Sequence, residues 1–184
     1  MKKQSNFAYI LRLALTLLAI TGLVALALAG VNAITKDKIA ALQAEKTQNA
    51  IAQVLPGGYD REITEFADET GLVQKIYASD TGYAVEVTPM GFDNTITMMV
   101  GVSREGKVLG ISVISHTETK GLGEVAAAQN GKGEAFRGQY VGQSGQLAVS
   151  KDGGTIEAIT GATITSRAVT AGVNAAIACV TGLV

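Results

Sequence analysis

Between Leu13 and Thr35 the chain runs for 23 residues without a charged side chain. As an α-helix such a run is about 35 Å long, enough to cross the hydrocarbon core of a bilayer. Everything else is arranged around it. Lys2, Lys3 and Arg12 precede it, and all 16 acidic residues follow it. From Lys36 onward there are 12 basic against 16 acidic residues, a net charge of −4. No basic stripe is visible, which argues against nucleic acid as a partner. The lysine pair, the apolar run and Ala27-Leu28-Ala29 before Gly30 have the marks of a cleavable secretory signal. Two features favour an uncleaved anchor instead. The uncharged run is long for a signal core, and helical spacing of apolar residues continues past it through Ile39, Leu42, Ile51 and Leu55. Positive charge before the span favours a cytoplasmic N-terminus and an extracytoplasmic domain, a single-pass arrangement in the cytoplasmic membrane. With no acid inside the span, the chain itself is expected to carry no ion path.

The expected organisation is an N-terminus and anchor over 1–35, a helical extension over 36–58 and a domain over 59–184. Pro56, Gly57 and Gly58 should end the helix. Four strands are then predicted, over 72–79, 82–91, 95–103 and 107–115, joined as hairpins by Asp80-Thr81-Gly82 and Arg104-Glu105-Gly106. In the last of them Val108, Ile111, Val113 and either Leu109 or Ile114 should point inward. A short helix is predicted over 124–130 and a surface loop with one helical turn near Phe136 over 130–146. Two more strands are predicted over 146–150 and 155–159, and a helix from Thr163, with Ile164, Ala168, Ala171, Ala175 and Ala178 on its apolar stripe. The class is α+β: a transmembrane helix, then an antiparallel sheet with the C-terminal helix packed on it. A single cysteine, Cys179, allows no intrachain disulfide and no multi-cysteine cluster. With one histidine besides, no metal site is expected.

The stretch AITGATITSRAV (158–169) carries the chemistry. A strand running into Thr-Gly-Ala-Thr and then a helix leaves backbone N–H groups unpaired at the helix start, and with the helix dipole these favour an anion. Gly161 and Ala162 leave room for a bulky group, and Thr160, Thr163 and Ser166 add hydroxyls. From physics alone a phosphate cradle and a plain Thr N-cap both remain open.

The residues themselves go further. Glu157 to Thr163 resembles the covalent flavin attachment motif of the FMN-binding domain family: an acid, two apolar residues, Ser or Thr, Gly, Ala, Thr. The resemblance implies that Thr163 carries FMN through a phosphoester bond installed by a flavin transferase. The acid is usually Asp, so Glu157 departs from the pattern. The stretch SHTETKGLGE (115–124) is similar to the family's second signature, with Lys120 where Pro is frequent. There Glu118 and Thr119 can hydrogen-bond the polar edge of an isoalloxazine and Leu122 can cover its face, while Gly121 and Gly123 let the loop wrap closely. MGFDN (90–94) stands where the family has a Gly-aromatic-Gly turn. Asp93 departs from it, and Phe92 is not assigned to the flavin.

In length the chain is most similar to the G subunits of Rnf-type ferredoxin:NAD oxidoreductases. That resemblance implies an electron-relay subunit, inactive alone, within an ion-translocating complex. Its partners would include a membrane pair bearing an iron–sulfur centre and a flavin-bearing membrane subunit. The alternatives are the C subunit of a sodium-pumping NADH:quinone oxidoreductase, a stand-alone anchored flavin reductase, or a non-redox ligand-binding or scaffold protein. His116 is read as orienting the Glu118 loop. Lys151 is read either as a countercharge to the phosphate or as a solvated turn residue, and Arg167 shares that ambiguity. No GxGxxG fingerprint for direct NAD binding is present.

Overall fold

A computed structural model describes residues 6–183. Lys2 and Lys3, used in the orientation argument, lie outside them. The chain divides into two compact units, Met1–Glu45 and Lys46–Val184. The first helix, α1, spans Asn6–Val54 and ends just before Pro56, as the proline and glycines demand. Within the first unit its large apolar side chains, Leu17, Leu23, Leu26, Leu28 and Ile34 among them, are exposed all round. The helix is long and apolar enough to cross a membrane. Thr16, Thr21 and Thr35 donate their hydroxyls back to the carbonyls of Leu13, Leu17 and Val31 at 2.8 Å. Such bonds satisfy these three hydroxyl donors in a hydrocarbon setting.

The second unit is built on a five-stranded sheet in the order β1 (Arg61–Ile63), β2 (Val73–Ala78), β3 (Gly82–Val87), β4 (Thr97–Ser103) and β5 (Val108–Ser115). Every neighbouring pair is antiparallel. Side chains alternate between the two faces. Ile76, Val85, Val87, Met98, Val100 and Val102 face one way and pack with the helix α3 (Thr163–Thr181). Tyr77, Ala84 and Met99 face the other way and are covered by Ala50, Ile51, Val54 and Leu55 from the end of α1. The sheet is therefore covered on both faces, and the last turns of α1 belong to the core. Contact is close enough that a Cβ on Gly101 would overlap the Val54 carbonyl.

Several elements differ from expectation. The register slips at Gly101/Val102, leaving Leu109 outside the ladder and exposed, while Ile114 packs beside Met99. The segments 146–150 and 155–159 are not strands. They share one bridge, Val149↔Ile156, and Ser150–Asp152 forms a 3-10 turn. Only two backbone bonds join the two segments, both at Ile156, and side-chain amides take up the groups of Leu147 and Glu157. Asn174 bonds both the N–H and the C=O of Leu147, and Gln139 does the same for Glu157. The predicted helix over 124–130 shrinks to a 3-10 turn, Gly123–Ala126. The helix near Phe136 is longer than one turn. It is α2 (Gly131–Gly138), capped by Asn130, whose side chain accepts from the N–H groups of Lys132 and Gly133. On α3 the apolar stripe is rotated from the expected one. Ala168 and Ala175 are buried as expected, but Ile164, Ala171 and Ala178 are exposed, and Thr165, Val169, Gly172, Val173 and Ala176 are buried instead.

Two predictions follow from this packing. Gly101→Ala forces a methyl into the α1 backbone, so the melting temperature should fall by about 3–10 °C, measured by calorimetry. The second concerns Tyr140, which is fully buried and whose hydroxyl shares a 2.8 Å hydrogen bond with Thr170. Burial pushes its phenol up to about 12. An unfolded phenol titrates near 10, so the stability held below pH ~10 is lost as pH rises towards that folded value. Alkaline denaturation should steepen over that window, and Tyr140→Phe should flatten it, leaving the slope due to Tyr77, whose phenol is also raised to about 12.

Candidate functional site

Three segments close round one cavity of about 330 Å³. They are the turn after β3, the loop after β5 and the first turn of α3. The cavity size falls within the ~300–1,000 Å³ common for ligand sites.

The α3 wall starts at Gly161, whose φ of +77° is left-handed and suits glycine. A Cβ there would also come within 3.0 Å of the Leu122 side chain. Ala162 occupies the N-cap position, and it supplies no side-chain bond. The plain Thr N-cap is therefore not what this stretch forms. Ser166 stabilises the turn from inside: it is fully buried, donates to the Ala162 carbonyl at 2.9 Å and accepts from the Ile159 N–H at 3.0 Å. Among the described residues, nothing bonds the N–H groups of Thr163, Ile164 and Thr165. Those three residues line the cavity.

Lys151 reaches across to this wall. Its Nζ donates to Thr163 Oγ1 at 3.1 Å. The turn carrying it is pinned to α3 by a bidentate pair, Arg167 Nε and Nη2 on the Asp152 carboxylate at 2.7 and 2.6 Å. The Arg167 hydrogen bond holds the Asp152 carboxyl below the usual carboxylate range, and Asp152 raises Arg167 in return. Arg167 is thus committed to the turn, and Lys151 is the cation at Thr163. Glu157 belongs to the same framework, accepting from the Ser150 hydroxyl at 3.2 Å.

The loop wall is set by Glu118, which is buried. Its Oε1 accepts the Phe92 N–H at 2.9 Å, and its Oε2 accepts the Thr165 hydroxyl. His116 Nδ1 accepts the Glu118 N–H at 3.3 Å. Gly121, at a φ of +74°, turns the chain so that Leu122 reaches the cavity.

Of the residues singled out in the sequence, Thr163, Gly161, Ala162, Glu118, Thr119, Leu122 and Lys151 meet in this cavity. Thr160, Gly121 and Ser166 do not line it; Gly121 and Ser166 shape the backbone around it. Phe92, Ile164 and Thr165 also line it, although the sequence reading assigned none of them to the site. Phe92 was signalled by the Gly-aromatic pair; Ile164 had been placed on the buried stripe. No group of three or more potential metal-ligating side chains occurs among the described residues.

The model of the FMN-binding domain matches residues 91–178, the stretch that contributes all three walls. Relatives named as G subunits of one kind of complex extend the match. The G subunit of the ion-translocating oxidoreductase complex of Pseudomonas aeruginosa is 33% identical, covering 95% of this chain and 88% of its own. The G subunit of the Na(+)-translocating ferredoxin:NAD(+) oxidoreductase complex of Acetobacterium woodii is 31% identical, covering 96% and 94%. The G subunit from Haemophilus influenzae is 36% identical over 77% of this chain and 75% of its own. The chain belongs to this G-subunit family. The FMN-binding fold places apolar Phe92, Leu122 and Ile164, all well exposed, round a concave site where a planar ring could lie. Unpaired helix amides and the Lys151 ammonium stand where a phosphate could be held. The donor set fits FMN.

Gly161→Ala tests the α3 wall. Left-handed strain of about 1–2 kcal/mol and contact with Leu122 should lower the melting temperature of the flavin-free chain by a few degrees. An unchanged melt would show that the turn relaxes freely.

Proposed function

We propose that this chain is the flavin-carrying electron-relay subunit of a membrane-bound, Rnf-type ion-translocating oxidoreductase, with FMN joined to Thr163 by a phosphoester bond. The observation that carries the reading is the convergence of Thr163, Lys151 and the uncapped start of α3 on one cavity, in a chain of the G-subunit family. The flavin, when bound, supplies reversible electron uptake. This chain's residues do the rest. Thr163 Oγ1 is the attachment atom, held by Lys151. The amides of Thr163, Ile164 and Thr165 and the Lys151 ammonium hold phosphate oxygens. Phe92, Leu122 and Ile164 shield the ring from water. A tethered carrier cannot diffuse away, and this suits a relay that must keep one redox centre at a fixed distance from its neighbours.

The partners in this reading are membrane subunits of the complex, one pair bearing an iron–sulfur centre and another subunit bearing a flavin. A flavin transferase matures the chain. α1 crosses the bilayer once, residues 36–58 extend it, and the domain from about residue 59 lies on the extracytoplasmic side. The chain is inactive by itself.

The test is direct. Expressed with a flavin transferase, the intact chain should fluoresce under ultraviolet light in a denaturing gel, and Thr163→Ala should abolish the signal. Lys151→Ala should slow its appearance severalfold. A dark wild-type band would overturn the covalent reading.

A further inference from the structure

A carboxylate is costly to bury unless donors satisfy it. Glu118 is only 6% exposed, and neither ion pair among the described residues includes it. Ile96, Val113 and Ala126 border the space beside it. It is held by two hydrogen bonds from different parts of the chain: the Phe92 N–H, on the turn after β3, and the Thr165 hydroxyl, on α3. Both oxygens are therefore engaged, one by a backbone N–H and one by a hydroxyl. The surrounding backbone is shaped to admit it. A Cβ on Gly91 or on Gly123 would overlap its oxygens. The turn after β3, the loop after β5 and the start of α3 therefore meet at this one side chain, and neither oxygen needs a flavin atom as a partner.

We propose that Glu118 is a positioning residue: its buried carboxylate ties the three walls of the cavity together and holds a negative charge beneath the flavin's seat. The sequence alone suggested a direct hydrogen bond to the ring edge. The geometry instead has Glu118 act through Phe92, Thr165 and its own loop. The charge disfavours added negative charge on a reduced flavin, so it lowers the potential of the carrier. Lys151 lies at the Thr163 wall and acts in the opposite sense. The inference rests on reading this cavity as a flavin seat, although the tying of the walls does not require flavin to be present.

The experiment uses the full chain in detergent with two readouts. The first is amide exchange in the flavin-free Thr163→Ala background. Glu118→Ala should speed exchange at the Phe92 amide, and across 119–123, by about tenfold or more, because it strands a buried donor. Glu118→Gln should stay close to the parent: its carbonyl still accepts from Phe92, and the Thr165 hydroxyl can accept from its amide. Exchange in β2 and β3 should not change. The second readout is redox titration of flavin-loaded chain, where Glu118→Gln should shift the midpoint potential positive. Parental exchange in Glu118→Ala would overturn the proposal, as would an unmoved potential in Glu118→Gln. Should Glu118→Ala fail to fold, Thr165→Val removes one donor and gives the exchange reading at smaller amplitude. A wild-type chain that never takes up flavin would sink the flavin reading, and the exchange arm would still decide whether Glu118 ties the walls.

Discussion

Gly172 lets α3 lie so close to the sheet that a Cβ there would overlap the Met98 methyl and crowd Val87 and Pro89. Burying α3 to this depth fixes its rotation and its height over β3 and β4. Its first turn is then held beside the loop that leaves β5 and the turn that leaves β3. Small residues, Ala168, Gly172, Ala175 and Ala176, make the approach possible, and Val169, Val173 and Val180 fill the remaining space. A bulkier helix would sit higher and pull Thr163 and Thr165 away from Lys151 and Glu118. The cavity is thus a product of core packing, with polar side chains only completing its walls.

Those polar side chains divide into two systems. On the outer side, Asp152 and Arg167 lock a short turn so that Lys151 meets Thr163. Exposed pairs of this kind contribute little to stability, but this one settles where a cation stands. On the inner side, Glu118 receives donors from two separate segments. One system places a cation at the Thr163 hydroxyl and the other places a buried carboxyl group deeper in the site.

Much of this was legible in the sequence, for identifiable reasons. Strands β2 to β5 show in alternation and in Gly-bearing turns, and the end of α1 shows at Pro56. Thr163, Gly161 and Glu118 stand out because the stretches around them resemble the two signatures of the FMN-binding domain family; their residue types alone fit an ordinary helix start and a surface loop as well. What stayed hidden was non-local. The two segments flanking Lys151 read as strands because Leu147, Val149 and Ile156 alternate, yet beyond two backbone bonds at Ile156 the groups of Leu147 and Glu157 are taken by the side chains of Asn174 and Gln139, far off in sequence. Nothing local reveals that an amide on a later helix will take a strand's place. The rotation of α3 was missed for a related reason. Alanines surround that helix, so its stripe is set by valines, Gly172 and the buried Thr165, whose burial only the sheet reveals.

The lacing by Asn174 and Gln139 bears on how neighbouring molecules treat one another. A true strand pair at 146–159 would have shown a row of free amide and carbonyl groups along its outer side, an open invitation to another chain's backbone. Here the groups of Leu147 and Glu157 are closed by amides fixed in the fold, and the β5 rim is partly closed too, by Val108 bonding with Gln143 and Gly142. A domain carried on a membrane helix meets its like within a plane, at local concentrations well above those of a free protein. Sealing its borders with its own side chains keeps such encounters brief.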